Sequence, residues 1–144
     1  MKLPNPAVVD KVKQWLAYAD EDLRFARHGF SLSDSPPHHL IAYHAQQSAE
    51  KCLKAYLIFH VIDFPYTHDI AHLLELCSGH GSWAGELRDA EALTPYAITA
   101  RYPGEDEEVS EAEARRAVEV AGRVRQTVRR SLRLEGLELP EDSE

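Results

Sequence analysis

The chain has 144 residues, 44% of them hydrophobic, enough to bury a core without disulfides or a structural metal. Its formal net charge of -8 repels phosphate backbones, which excludes tight non-specific binding to long duplex nucleic acid but leaves room for a local basic site. Glycine is sparse, β-branched residues never alternate with polar ones over a useful window, and the long periodic segments are rich in Ala, Leu, Glu and Arg, so an all-α protein is predicted.

Asn5 is a good N-cap and Pro6 suits the first helical position, which predicts a first helix over residues 6–27, ended by Gly29. Its apolar stripe is Val8, Val12, Trp15, Leu16, Ala19, Leu23 and Ala26. The stretch SLSDSPPHH reads as a loop in which Asp34 or Ser35 caps a second helix and Pro36 or Pro37 opens it, the helix running to about residue 62. Asp63, Pro65 and Tyr66 break the pattern, and Thr67 then caps a short third helix that ends near Cys77, before the turn SGHGS. A fourth helix is expected over residues 83–100, followed by the acidic loop RYPGEDEEV. Ser110 and Glu113 form a capping box for the last helix, which reaches Leu134 with Gly136 behind it.

Short connections favour antiparallel neighbours, so these elements predict an up-and-down bundle of four main helices plus one short one. One domain is expected over residues 1–136, with a frayed acidic tail over 137–144. The N-terminal MKLPNPAVVD has no apolar h-region and no apolar run is long enough to cross a bilayer, so a cytoplasmic location without membrane contact is expected. Cys52 and Cys77 lie among apolar residues outside any C-x-x-C and read as reduced core residues.

In the second helix Ile41, Ala45, Ser48, Cys52, Ala55 and Phe59 recur at spacings of three and four, widened by Ala49, Leu53 and Tyr56, and this stripe reads as core. Gln47, Glu50, Lys51 and Lys54 project from a different side. A solvated face with a Glu50–Lys54 pair explains them structurally, at about 0.3–0.5 kcal/mol. The segment THDIAH places His68 and His72 one helical turn apart, a spacing zinc accepts. Asp69 replaces the longer Glu of H-E-x-x-H, however, and only distant His80 or Glu75 could add a ligand, so no metal is expected. G-x-S-x-G, Walker and G-x-G-x-x-G loops are all missing, which sets aside serine-elbow acyl transfer and P-loop nucleotide hydrolysis. Arg115, Arg116, Arg123, Arg125, Arg129, Arg130 and Arg133 line the last helix, but Glu111, Glu113 and Glu119 offset its first half and the helix dipole accounts for its last turn.

HAQQSAEKCLKAYL, then THDIAHLLEL, then ARYPG before a final Ala-rich helix, preceded by Trp15, Ala19, Asp22 and Leu23 in a W-x-x-x-A-x-x-D-L pattern, resembles the HEPN domain family from about residue 15 to 132. The resemblance implies a helical bundle that pairs into homodimers, a link to nucleotides and RNA, and a partner of the MNT nucleotidyltransferase type, some such pairs acting as toxin and antitoxin. RNA-cleaving members carry R-x(4–6)-H, used across the dimer for metal-independent cleavage. Counting from Arg101, the histidine positions are Asp106, Glu107 and Glu108, which offer no imidazole and repel a scissile phosphate. The expected function is therefore binding of a nucleotide or RNA without catalysis and without a cofactor, through Gln47, Glu50, Lys51, Lys54, His68 and Arg101. Two other readings are a ribonuclease with an altered site using His68, His72 or Arg101, and a pure interaction module that uses the small-residue stripe of the second helix.

Overall fold

The computed structural model describes residues 3–98 and 108–140. The protein is all-α, and the described elements are α1 (Pro6–Gly29), α2 (His38–Phe59), α3 (Ile70–Cys77), a 3-10 helical segment (Ser82–Ala97) and α4 (Glu111–Leu134). None of these helices is long and apolar enough to cross a membrane.

Helix α1 begins as its sequence predicts, with the Asn5 side chain accepting from Ala7 N at 2.7 Å and Pro6 in the first turn. Val12, Leu16, Ala19, Leu23 and Ala26 are buried along one stripe. Gly29 is the last residue of the helix, and its role is close approach: a Cβ there would lie 2.5 Å from Ile41 Cγ1 of α2.

Helix α2 starts later than expected and neither Asp34 nor Ser35 caps it. Pro37 holds the N-cap position without a side-chain hydrogen bond, because a residue followed by proline is pushed out of the α region and Pro36 cannot enter the helix. The small-residue stripe of Ala45, Ser48, Ala49, Cys52 and Ala55 is buried within the bundle, so it is not a surface for a partner. Cys52 and Cys77 are buried thiols, and burial pushes both up to about 12, which removes them from thiolate chemistry.

The helix ends at Phe59, short of the expected residue 62, in a Schellman turn: Ile62 N donates to Leu57 O and Val61 N to Ile58 O. Val61 takes the left-handed position of that turn, with φ of 54°. Helix α4 ends in the same motif, with Leu137 N to Leu132 O and Gly136 N to Arg133 O, and there Gly136 holds the positive φ of 100°. Beyond it the chain does not fray at once as expected. Leu137 enters the core, and Arg129 and Arg133 donate to Pro140 O.

Thr67 does not cap α3. Asp69 does, accepting from Ala71 N at 3.0 Å and His72 N at 3.4 Å, while Thr67 Oγ1 accepts from Asp69 N. The segment expected as a fourth α-helix is instead 3-10 in character, kinked at Leu87, with Pro95 inside it. Its buried residues are Ala84, Leu87, Ala90 and Leu93, a strict three-residue repeat that matches three residues per turn. Helix α4 carries the predicted capping box between Ser110 and Glu113 and buries Ala114, Ala117, Val120, Ala121, Val124, Val128 and Leu132.

Helix α2 is the hub of this bundle and touches every other element. Where it meets the end of α4, the Tyr56 hydroxyl donates to Glu135 Oε2 at 2.9 Å, and the Tyr56 ring meets Trp83 edge-on. Trp83 Nε1 in turn donates to Ser131 Oγ at 3.0 Å.

A β-branched residue in the left-handed region is strained by about 1–2 kcal/mol, a strain that Asn relieves. Val61 is exposed, so its side chain adds little in compensation. Val61→Asn is expected to raise stability by about 1 kcal/mol, read as a higher urea midpoint at constant slope. An unchanged or lower midpoint would contradict the strain.

Candidate functional site

The charged residues of α2 that spacing assigns to a solvated face lie inside the protein. Glu50 and Lys54 are each only 4% exposed, and Gln46 is wholly buried. Lys54 Nζ donates to Glu50 Oε2 at 2.9 Å, Gln46 Nε2 donates to Glu50 Oε1 at 3.0 Å, and Gln47 Nε2 donates to Gln46 Oε1 at 2.7 Å. His68, from the link between α2 and α3, brings Nδ1 to 2.7 Å from Glu50 Oε1. Gln46 Nε2 also reaches His68 O at 3.4 Å, which ties that link to α2.

What buries this pair comes from elsewhere in the chain. The Lys54 ammonium lies 5.9 Å from the ring centre of Trp15 on α1, and 5.7 Å from those of Phe64 and Tyr66 in the link. Aromatic faces and one carboxylate replace the water that Lys54 gives up. Burial alone pushes the Glu50 carboxyl up, but hydrogen bonds from Lys54, Gln46 and His68 outweigh it and hold the group below the ordinary value of 4.5. Glu50 is thus an ionised carboxylate at neutral pH, and it orients an imidazole.

A second, separate cluster joins α1 to α2. Asp22 accepts from Lys51 Nζ and, at 3.0 Å, pairs with His44 Nδ1, while Phe25 stacks obliquely on His44 with centroids 4.6 Å apart. Of the six predicted site residues, Gln47, Glu50, Lys54 and His68 therefore share one network and Lys51 belongs to its neighbour. Arg101, with the R-Y-P loop and most of the acidic run, lies outside the described residues.

Gln46, Trp15, Phe64, Tyr66, Asp22 and His44 complete these clusters and were not among the predicted ligand residues. Trp15 and Asp22 had a signal in the W-x-x-x-A-x-x-D-L pattern, and Gln46 stood beside Gln47; the other three had none. His68 and His72 do not share a helical face, because α3 begins only at Ile70. Among the described residues no three His, Cys, Asp or Glu side chains converge on a possible metal site.

The basic residues of α4 are turned to internal use. Arg115 pairs with Glu111, Arg116 with Glu119 and Asp89, Arg123 with Asp89, and Arg125 with Asp20 of α1. Arg116, Arg123 and Arg125 thereby fasten α4 to Asp89 and Asp20 of its neighbours.

A family model described as HEPN domain matches residues 12–131. Among solved structures, TT1696 from Thermus thermophilus has a similar fold, with a TM-score of 0.66 and 24% sequence identity over 84% of this chain and 98% of that one. No curated protein matches the chain.

Removing one partner of a buried ion pair is far more harmful than replacing both. Glu50→Gln is expected to lose about 3–5 kcal/mol at pH 7 because Lys54 is left buried without a counter-charge, whereas Glu50→Gln with Lys54→Met returns most of it. Urea unfolding of the four proteins in the cycle measures this, and additive losses would contradict it. Because Glu50 is held below 4.5 when folded, its contribution is fully present above that pH and lost as pH falls through the folded value. The stability gap between wild type and Glu50→Gln should therefore narrow below about pH 4.5 and stay constant above about pH 6.

Proposed function

The chain belongs to the HEPN domain family, and we propose that it is a non-catalytic, nucleotide- or RNA-binding homodimer that works with an MNT-type nucleotidyltransferase in a toxin–antitoxin-like pair. The family is linked to nucleotides and RNA, and the observation that carries the reading here is the placement of His68. Its side chain is 42% exposed while its Nδ1 is taken by the buried Glu50, so Nε2 is the ring nitrogen left for a ligand. That nitrogen stands at the mouth of a network whose charges cancel: Lys54 against Glu50, and Lys51 against Asp22. A single ring nitrogen fits a terminal phosphate better than a long backbone, in keeping with the net charge of -8. In this reading Gln47, Glu50 and Lys54 position His68, Lys51 borders the site, and Arg101 contributes from the following loop.

The absence of R-x(4–6)-H supports binding over cleavage. Tyr18 and Phe25, seven residues apart and exposed on α1, support self-association. Calorimetric titration with ATP, GTP and their monophosphates is expected to give binding that weakens about tenfold or more in His68→Ala, the loss of one charge-assisted hydrogen bond, with the melting temperature nearly unchanged. Absence of heat from every nucleotide, together with no retention of short RNA, would overturn the reading.

A second reading draws on the same pair. A carboxylate that accepts from imidazole Nδ1 is the arrangement that prepares Nε2 as a general base, which favours a metal-independent ribonuclease with an altered site. Incubation with tRNA and mRNA in EDTA separates the two: cleavage that disappears in His68→Ala selects the ribonuclease, and intact RNA selects binding.

A further inference from the structure

Tyr66 is the most exposed large hydrophobic side chain among the described residues, at 90%. A lone exposed aromatic is ordinary, but this one is held in place at the site. Pro65 fixes the backbone before it, and behind it the Thr67 and Asp69 turn leads straight into α3. The Lys54 ammonium lies 5.7 Å from its ring centre, and the His68 ring meets it edge-on, 5.4 Å between centroids and 73° between planes. Trp15 and Phe64 share the same ammonium but are only partly exposed, so Tyr66 alone of the three rings stands mostly in water. The ring stands almost wholly in water beside the proposed phosphate ligand, with the buried Lys54 ammonium near it.

We propose that Tyr66 is a stacking platform for the base of a nucleotide, or of a terminal RNA nucleotide, whose phosphate His68 binds. The inference rests on the binding role of His68 given above and adds what that role lacks, a recognition element for the base. A lone imidazole nitrogen does not distinguish one phosphate from another. An aromatic face beside it selects phosphates that carry a base, because every nucleobase has a π-face and the contact needs no hydrogen-bond pattern. Selection of this kind tolerates any base and does not read sequence. Phosphate and base contacts sit on adjacent rings, which suits one nucleotide and not a long strand.

AMP and ribose 5-phosphate share sugar and phosphate and differ by the base, so they separate the two contacts. Calorimetric titrations of wild type, Tyr66→Ala, Tyr66→Trp and His68→Ala with both compounds test the proposal. Tyr66→Ala is expected to weaken AMP by roughly tenfold or more and leave ribose 5-phosphate unchanged, Tyr66→Trp to restore AMP, and His68→Ala to weaken both. If Tyr66→Ala binds AMP like wild type while His68→Ala does not, the platform is overturned and the phosphate role of His68 stands. Equal weakening of both compounds by Tyr66→Ala also overturns it, since the ring would then only shape the mouth. Binding of neither compound by wild type removes the phosphate role and the platform together. Melting temperatures of the variants, with Tyr66→Trp keeping an aromatic ring over Lys54, separate a lost contact from a lost fold.

Discussion

Glu50 and Lys54 leave water together, one turn apart on α2, and the arrangement of α1, α2 and the following link answers to that burial. Neither charge is well tolerated there alone, because an ion left unpaired in the interior costs about 3–5 kcal/mol, a large share of the net stability of a domain. Lys54 needs the carboxylate and three aromatic faces, which brings Trp15 over from α1 and Phe64 and Tyr66 back from the link. Glu50 needs donors for both oxygens: Lys54 serves Oε2, and Gln46 and His68 meet at Oε1. A polar group buried with all its partners in place specifies one geometry, since any slippage leaves a lone pair or a proton unsatisfied. The link that carries Tyr66 and His68 is therefore placed by the interior, although both side chains face solvent.

Sequence patterns disclose this fold unevenly, and the division follows the range of the forces involved. The ends of α1 and α4 are legible because their determinants are local: Asn5 with Pro6, and Ser110 with Glu113, each satisfy free amides within a few residues. The Glu50–Lys54 pair is equally legible as a pair, but its burial is not, because that depends on rings contributed by other elements. Asp22 with Lys51 is the same case across two helices. The end of α2 defies a rule that holds at the end of α4. Both close with the same backbone hydrogen bonds, yet one uses Gly136 at the left-handed position and the other Val61, which no composition rule selects. At the start of α3 the cap lies two residues beyond the expected Thr67, at Asp69, whose own N–H Thr67 accepts.

Many cations of the molecule meet carboxylates of the same chain: Lys51, Lys54 and, on α4, Arg115, Arg116, Arg123, Arg125 and Arg129. With a net charge of -8 the molecule as a whole repels a phosphate, so affinity for one has to come from local shape and stacking more than from long-range attraction.

The segment Ser82–Ala97 keeps its four buried residues in step by counting in threes. Ala84, Leu87, Ala90 and Leu93 consequently lie along one narrow edge, bent at Leu87, where an α-helix would spread the same number over a broader arc. Such an edge has no redundancy in phase. Inserting one residue after Ala84 turns everything beyond it by about 120° and brings Glu86, Asp89 and Ala92 to that edge, and deleting one there brings Arg88, Glu91 and Thr94. This stretch should thus tolerate changes of side chain far better than changes of length, the reverse of what surface connections usually allow.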